Sequence, residues 1–504
     1  MLERVSKAAV RSVPSQERVV EAAGSGARSL LRWLRAHGLF AVVLAGAAWL
    51  RWTAIRGYPT MGLFGDSHTY LQTALDGRPS QLRPGGYSLF LLLLKPAHDF
   101  RVVLAAQHAL GLLVGVIVYA LCRRAVLASR PRWPLLAGAV AALATVPVLY
   151  DAYTIQLEHM MMSDSLFTFG LVAGVALVMW RRRTSWWAGA LAGLAVSAAA
   201  MVRSVGLPML IVVLVCLALR RAGWRPIAAA AAAAVLPVAA YMTWFHAFYG
   251  TYSITTTDKI WLYGRTVAFA KCSVIKPEPR VAILCRDGIP PNPAYAPALS
   301  ALWGGNSGFR QLPGGLYDPQ ANELAGAFAT AAITEQPGDY LAVVWRDTWR
   351  AFAWRRTAYP SAAIMRTYEF PVGAAITDRD AVPGRLYGGR TADVRVVEPY
   401  AATMRGYQSW AYLHGTPLGI MLAVGLAGIV LRIRRLGGAV LLPWSVGLAL
   451  LVVPAATADF DYRYVLPAVP FAVLAAVLAC VREPGRRPAP APAEDRAVEE
   501  AGRL

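Results

Sequence analysis

Acidic residues and cysteines are scarce in this chain of 504 residues: Asp and Glu together number 29, and Cys numbers 5. Charged residues of all kinds make up 16% of the sequence, whereas 57% is hydrophobic. Apolar runs of about 18 residues or more recur, and runs of that length are typical of transmembrane helices. This composition excludes an ordinary soluble protein and predicts an all-α polytopic membrane protein.

Basic residues exceed acidic ones, with 50 Lys and Arg and a net charge of +21. The sequence contains no RNA- or DNA-binding motif, so the charge does not indicate a nucleic-acid partner. Much of the excess lies in short loops, as the positive-inside rule predicts for cytoplasmic loops. A cleavable signal peptide is not expected, because the first apolar run starts late and lacks a small-residue cleavage site.

We expect ten membrane spans with both termini in the cytoplasm. Arginine clusters such as Arg123 and Arg124 then all fall on the inner side, as the positive-inside rule requires. The fifth and sixth spans are short, so their ends are the least certain. The predicted spans are 38–56, 101–121, 133–150, 162–180, 186–202, 205–220, 225–244, 416–433, 438–456 and 463–481.

The apolar stretch "GGYSLFLLLLKPAHDF" (85–100) interrupts this count. Its apolar core of about a dozen residues is too short to cross ~30 Å of hydrocarbon at 1.5 Å per residue. Counting it would also reverse every later loop and place the arginine clusters outside. We therefore predict an interfacial or re-entrant helix on the outer face, with an eleventh span as the alternative.

This layout divides the chain into five parts. The loop 245–415 is large enough to hold a small folded subdomain, but it has no obvious core of its own. The Pro/Ala-rich, charged tail is typical of disorder. The parts are a cytoplasmic N-terminal segment (1–37), a transmembrane core (38–244) with outer-face interfacial helices (57–100), the extracytoplasmic loop subdomain (245–415), the C-terminal transmembrane helices (416–482) and a disordered cytoplasmic tail (483–504).

Cysteine positions agree with this layout. Only Cys272 and Cys285 fall on the outer face, thirteen positions apart in one loop. An oxidising compartment would allow them to form a disulfide. Two unpaired thiols remain the alternative.

Charged residues gather where spans meet the outer face. Ionisable groups at or in a membrane are costly and are functional candidates, and these all approach one side, so a shared site is possible. The alternative for each residue singly is a snorkelling or interfacial charge. They are Asp66, Arg83, Asp164, Arg203, Asp459, Asp461 and Arg463.

Asp66 follows the first span within "LFGDSHTYL". Gly65 before it allows a tight turn. Its carboxylate could cap the short helix that follows, which ends at Asp76 with Gly77 as a favoured C-terminal residue. A carboxylate held at the membrane surface could also accept a proton from a hydroxyl. The sequence therefore leaves two roles open for Asp66, that of a helix cap and that of a general base.

Several motifs share an order along the chain. Asp66 is followed by Ser67-x-x-Tyr70 and by "RPGGYSLFLLL", and later come "MSDSLFTFGLVAGVALV", "LAGLAVSAAAMVRSVGLP", "ITEQPGDYLAVVWRDTWRAF" and "DYRYVLPAVP". Over most of 38–481 this pattern resembles the GT-C superfamily, integral membrane glycosyltransferases that use polyprenyl-phosphate sugars. The Pro-Gly-Gly-Tyr and Arg-Tyr-x-x-Pro elements are similar to its protein O-mannosyltransferase and aminoarabinose-transferase branch.

The resemblance implies inverting transfer of a sugar from a polyprenyl-phosphate donor, on the outer face of a bacterial plasma membrane. The acceptor would be a cell-envelope glycan, lipid or protein. Guanidinium groups match phosphate geometry and stabilise the leaving charge. The implied catalytic residues are Asp66 as base and Asp164, and the implied substrate-binding residues are Arg83, Tyr87, Arg203, Arg463 and Tyr464.

No cofactor is predicted as a requirement. Relatives often carry two adjacent acids where this chain has Asp66 and Ser67, which puts a metal held by that motif in doubt. A divalent metal on Asp66, His68, His159 and Asp164 remains possible, since oxygen and nitrogen ligands suit such ions.

Other functions remain open. A polysaccharide polymerase or ligase would share the lipid-phosphate donor and is poorly separated by sequence. A lipid-linked sugar transporter would favour charges deep within spans and inverted repeats, which the sequence lacks. A non-enzymatic scaffold is the remaining alternative.

Overall fold

The computed structural model describes residues 16–181, 183–289, 292–373, 378–393 and 395–482. Residues 1–15 of the N-terminal segment and the tail 483–504, predicted to be disordered, lie outside the described residues. The regular structure of the described ranges is helical, and the only β-pairing in them is an isolated bridge between Gly62 and Met160. The prediction of an all-α fold is confirmed.

In the described residues, eleven α-helices precede the large loop. They are α1 (Gln16–Gly57), α2 (Ser67–Asp76), α3 (Gly86–Leu94), α4 (Phe100–Ser129), α5 (Pro134–Ala144), α6 (Val146–Leu149), α7 (Ala152–His159), α8 (Asp164–Met179), α9 (Trp186–Val202), α10 (Gly206–Leu219) and α11 (Trp224–Tyr249).

A second set of α-helices forms the loop and the C-terminal spans. They are α12 (Asp258–Thr266), α13 (Cys272–Ile275), α14 (Pro297–Trp303), α15 (Ala321–Glu335), α16 (Pro337–Arg350), α17 (Ala362–Arg366), α18 (Asp378–Gly388), α19 (Tyr400–Gln408), α20 (Gly415–Val430), α21 (Leu441–Thr457) and α22 (Val469–Cys480). Short 3-10 helices also occur, at Lys95–Ala97, Ala282–Leu284, Gly308–Gln311, Gly315–Tyr317, Gly389–Ala392, Ile433–Arg435, Gly438–Val440, Tyr462–Tyr464 and Leu466–Ala468.

Within the described ranges, five helical stretches are long and apolar enough to cross a membrane, so the chain is a multi-pass membrane protein. The pair α5–α6 and α7, bent by 55°, is a sixth candidate. Four other predicted spans coincide with α8, α9, α10 and α20, which have 14 to 17 residues and are short for a full crossing. The count of ten spans therefore stays a prediction. The five stretches are Trp33–Gly57, Phe100–Ser129, Trp224–Tyr249, Gly438–Thr457 and Tyr462–Cys480.

The apolar stretch at 85–100 does not form a span-length helix. α3 has nine residues, or about 13 Å of helix, and a 3-10 turn at Lys95–Ala97 follows it. A new helix, α4, then begins at Phe100, with the Asp99 carboxylate accepting from the backbone N–H of Arg101. This length agrees with the predicted interfacial or re-entrant helix.

Small residues allow α9 and α11 to pack closely. Gly189 and Gly193 face the backbone of α11, and a Cβ on Gly193 would overlap the carbonyl of Ala230. One turn further, the Ser197 hydroxyl donates to the carbonyl of Ala234 at 2.6 Å. Small residues at such spacing let helix backbones approach where no hydrophobic effect holds helices together in lipid.

A buried ion pair ties α1 to α7. The Arg51 side chain donates through Nε and Nη2 to the two Glu158 carboxylate oxygens, both at 2.8 Å, and through Nη1 to the Leu149 carbonyl. His108 Nδ1 lies 2.9 Å from the same carboxylate. Arg51 lies towards the end of the first predicted span and is 2% exposed, so its charge is satisfied inside the protein.

The loop 245–415 contains a hydrophobic core of its own, contrary to the sequence-based expectation. Tyr263 of α12 packs against Phe309 and against Phe328 of α15, with ring centroids 5.4 and 5.1 Å apart. The hydrophobic periodicity of the loop sequence is weak, because the core is assembled from short helices joined by Gly/Pro-rich connectors. A disulfide joins Cys272 to Cys285 at the edge of this core, with Cα atoms 6.0 Å apart.

The predicted topology can be tested by thiol labelling. In a Cys480→Ser background, Arg310→Cys should react with a membrane-impermeant maleimide on intact cells, and Arg183→Cys should react only after lysis. Both replaced arginines are exposed. Protection of position 310 together with labelling of position 183 would reverse the layout.

Close packing of α9 on α11 gives a second prediction. Gly193→Ala should destabilise the protein by about 1–3 kcal/mol, the usual effect of overpacking, and lower its unfolding temperature in detergent. Gly38→Ala is the control, because a Cβ there meets no atom within 4 Å. Equal unfolding temperatures for the two variants would contradict the packing argument.

Candidate functional site

Charged side chains from distant parts of the chain meet beyond the end of α1. Asp66 pairs through one carboxylate oxygen with Arg83 Nη2 at 2.6 Å and through the other with Arg463 Nη2 at 3.0 Å. Beside them, Asp164 forms an ion pair with Arg203. Asp461 contacts Arg463 as well, so the structure brings together six of the charged residues singled out in the sequence.

The backbone places Asp66 through contacts between the α1–α2 loop and the α7–α8 connection. Gly62 donates to the His159 carbonyl at 3.2 Å and accepts from the Met161 N–H at 2.8 Å. The Ser67 hydroxyl donates to the Met161 carbonyl at 2.9 Å. These bonds join the two segments that carry Asp66 and Asp164.

The predicted helix cap by Asp66 is wrong. Asp66 stands at the start of α2, but its side chain accepts no hydrogen bond from that helix. Its backbone is already helical, with φ −68° and ψ −22°, so the carboxylate turns towards the arginines. The other local predictions hold: Gly65 has a φ of +45°, and Gly77 ends α2 in the left-handed conformation.

Arg463 is held by its immediate neighbours. Asp461 accepts from the Arg463 backbone N–H at 3.0 Å, and its Oδ2 lies 3.5 Å from Arg463 Nε. The Tyr368 hydroxyl donates to Asp461 at 2.6 Å. The Arg463 side chain is 7% exposed, so its head group is fixed towards Asp66.

Arg83 is stacked on a residue of the large loop. Its Cζ lies 4.3 Å from the centroid of the Trp261 ring in α12. Sequence reasoning missed Trp261, because no motif marks that aromatic residue. The loop 245–415 therefore contributes a wall of the site.

Arg203 and Tyr464 link the two ion-pair groups. The Tyr464 ring lies between two guanidinium groups, with its centroid 5.0 Å from Arg203 Cζ and 5.1 Å from Arg463 Cζ. Phe167 lies 5.7 Å from Arg203 Cζ on another side. Arg203 follows the last residue of α9 and Asp164 begins α8, so two helix ends fix this pair.

Tyr87 lies behind the site. Its side chain is 0% exposed, its hydroxyl donates to Gln107 at 2.7 Å, and its ring packs on Tyr70 with centroids 4.9 Å apart. Tyr70 in turn donates to the Ser163 hydroxyl at 3.1 Å. The substrate contact expected of Tyr87 stays a prediction, and in this structure its hydroxyl faces Gln107.

The arrangement of histidines does not indicate a metal centre. His159 is buried, with Nε2 2.7 Å from the Tyr58 carbonyl oxygen and Nδ1 3.2 Å from His108 Nε2. Both ring nitrogens therefore have protein partners. In the part of the chain that the structure describes, no group of three or more His, Cys, Asp or Glu side chains could hold a metal ion.

The charge state of Asp66 follows from its neighbours. Burial raises the pKa of its carboxyl, but the guanidinium groups of Arg83 and Arg463 together outweigh burial and lower that pKa below its ordinary value. Asp66 is therefore ionised at neutral pH, and both of its oxygens are occupied by arginines.

Comparison with known proteins identifies no family. No protein-family model matches the chain, and no curated protein matches it. Among solved structures, the chain is similar to the crystal structure of ArnT from Cupriavidus metallidurans bound to undecaprenyl phosphate. The alignment covers 88% of this chain and 77% of that chain, with 13% identity and a TM-score of 0.34, which is a loose likeness.

The lowered pKa of Asp66 predicts an acid-sensitive contribution to stability. The stabilisation is present above the pKa that Asp66 has in the unfolded chain, and it is lost as the pH falls through the lower folded-state pKa. Between neutral pH and roughly pH 3, thermal stability should fall more in the wild type than in Asp66→Asn. Thermal unfolding in detergent at a series of pH values measures the difference.

Asp76→Asn is the matched control, because Asp76 is an exposed carboxylate at the other end of α2 and pairs with the amide of Gln72. Its pH dependence should equal that of the wild type. If Asp66→Asn also titrates like the wild type, the arginines do not stabilise the ionised carboxylate.

Proposed function

We propose that this protein is a membrane glycosyltransferase that moves a sugar from a polyprenyl-phosphate donor to an acceptor hydroxyl, with inversion, on the outer face of a bacterial plasma membrane. The observation that carries the proposal is the pairing of one carboxylate, Asp66, with two arginines from distant segments, beside a third arginine. The order of motifs that resembles the GT-C superfamily supports the same reaction.

The arginines are proposed to hold the donor phosphate. Arg83, Arg203 and Arg463 surround Asp66 and Tyr464, and guanidinium groups match phosphate oxygens in two-point geometry. A lipid phosphate is a good leaving group that needs positive charge where its own charge grows. Arginine, unlike histidine, supplies that charge at any physiological pH.

Donor binding would also change the basicity of Asp66. With both oxygens paired to Arg83 and Arg463, the carboxylate is a weak base. A phosphate that draws these guanidinium groups away leaves Asp66 buried with less compensation, and its pKa rises. Once the donor is bound, Asp66 is then a stronger base and can take the proton from the hydroxyl of the acceptor substrate.

Asp164 is proposed to act with Arg203. Its side chain is 2% exposed and is paired with that arginine at the start of α8. Removing Asp164 would leave a buried guanidinium free to turn away from the phosphate. Its effect would therefore appear first in donor binding, whereas loss of Asp66 would appear first in the chemical step.

The test is a comparison of Asp66→Asn with the wild type in nanodiscs, using a panel of polyprenyl-phosphate sugars as donors and released sugar as the readout. If Asp66 is the base, turnover should fall by roughly 10²–10⁴-fold, the usual contribution of a positioned base. Binding of undecaprenyl phosphate, used as a probe, should stay equal or tighten, because two arginines lose a competing carboxylate.

Asp76→Asn controls for the loss of a carboxylate from the same helix and should turn over like the wild type. Weakened binding of undecaprenyl phosphate with near-normal turnover in Asp66→Asn would make Asp66 a residue that positions the arginines. No sugar release by the wild type from any member of the panel would remove support for the transferase function.

Donor binding by the arginines gives a separate prediction. Arg463→Lys keeps the charge but loses the two-point geometry, so the probe's affinity should fall by about tenfold or more, with Arg463→Ala weaker still. Arg434→Ala is the control, since this exposed arginine lies in the basic turn after α20, away from the site. Unchanged affinity in Arg463→Ala and Arg203→Ala alike would discard the phosphate role.

A further inference from the structure

A large cavity lies at the end of the helix bundle opposite Asp66. Its volume is about 1490 Å³, and the ends of α4, α8, α10 and α22 form its walls. α8 begins at Asp164 in the candidate site and ends at Met179 beside the cavity, which separates the two by roughly 22 Å along the helix. The cavity is therefore distinct from the candidate active site.

The lining of the cavity is strongly basic. Eight of its described lining residues are arginines, and none is Asp or Glu. Arg124 and Arg183 are exposed, whereas Arg123 is half-buried and its Nε makes no hydrogen bond within the described ranges. A concave surface with one sign of charge concentrates the field on an entering ion of opposite sign.

Arginines at helix ends often have a purely structural role, and this face of the protein contains one such residue. Arg432 donates to the carbonyls of Gly428, Ala479 and Val481 at 2.7–3.0 Å and so satisfies the ends of α20 and α22. The described hydrogen bonds and ion pairs give Arg124 and Arg183 no such carbonyl or carboxylate partner. Helix capping therefore does not account for Arg124 and Arg183.

The cavity also lies at the level where a lipid headgroup would be. Exposed tryptophans surround this end of the bundle, and tryptophan is enriched at the membrane–water interface. Trp180 lines the cavity itself, with its ring 5.5 Å from Arg124 Cζ. The exposed tryptophans of this end are Trp33, Trp133, Trp180, Trp186, Trp187 and Trp224.

We propose that this cavity binds a phosphate-bearing anion, and that its source is the headgroup of an anionic phospholipid from the adjacent leaflet. Basic pockets between transmembrane helices are suited to phosphate headgroups. Apolar wall residues, among them Leu127, Leu217 and Leu478, offer contact to the glycerol and upper acyl region. A soluble phosphate compound is the other source of the same chemistry, and the experiment separates the two.

The experiment is native mass spectrometry of the full chain released from detergent, with phosphatidylglycerol or phosphatidylcholine added. The wild type should retain phosphatidylglycerol in preference to phosphatidylcholine. Arg124→Gln/Arg183→Gln should weaken phosphatidylglycerol binding by about tenfold or more, because each arginine near an anionic headgroup adds to the binding free energy. Inorganic pyrophosphate is added in a parallel series as the soluble competitor.

Arg130→Gln/Arg434→Gln is the matched control, because it removes two exposed arginines of the same face that do not line the cavity. It should bind like the wild type, and all variants should unfold at the same temperature in phosphatidylcholine. Should the double variant misfold, Arg123→Gln replaces it and should show the same selective loss.

The outcomes distinguish a lipid headgroup from a soluble phosphate compound as the ligand of the cavity. Loss of phosphatidylglycerol only in the cavity variants, without competition by pyrophosphate, supports the lipid headgroup. Displacement by pyrophosphate that depends on the same arginines supports the anion site and assigns it to a soluble ligand. Equal loss in cavity and control variants would mean a general surface charge effect and would overturn the proposal.

Discussion

A charge beside hydrocarbon must be paired, and this constraint organises the end of the bundle that carries Asp66. Asp66 lies at the start of α2, Arg83 lies just before α3, and Arg463 lies in the 3-10 turn before α22. An unpaired buried member would cost several kcal/mol, so the three segments are held in one arrangement. The relative positions of the neighbouring helices follow from these ion pairs.

The same rule accounts for a second, purely internal link. Arg51 lies within α1, and Glu158 at the end of α7 meets it with both carboxylate oxygens. This pair fixes α7 against α1 directly before the turn that leads to Asp164. The two ion-pair systems thus follow one another along the chain. The Arg51–Glu158 pair fixes the segment that leads to Asp164.

The two ends of the bundle differ in how their charges are satisfied. At the Asp66 end, the arginines have carboxylate partners and aromatic neighbours, so a phosphate has to compete for them. At the other end, arginines line a cavity that contains no acidic residue among its described walls. Competition favours a site that responds to its ligand, whereas a basic cavity without described acidic walls favours simple retention of an anion.

The sequence by itself determined the membrane class, the all-α fold and the identity of the charged residues of the candidate site. Long apolar runs and the Asp and Arg residues at their ends suffice for that, since hydrophobicity and charge are local properties. The local turns at Gly65 and Gly77 were also predictable, because they depend on backbone preference alone.

Only the tertiary structure decided which charges pair. The cap expected of Asp66 did not form, because two guanidinium groups from residues far away in sequence compete for its carboxylate. Trp261, the burial of Tyr87 and the core of the large loop were likewise not predictable. Each depends on contacts between segments separated by many residues, and a linear pattern of hydrophobicity carries no information about such contacts.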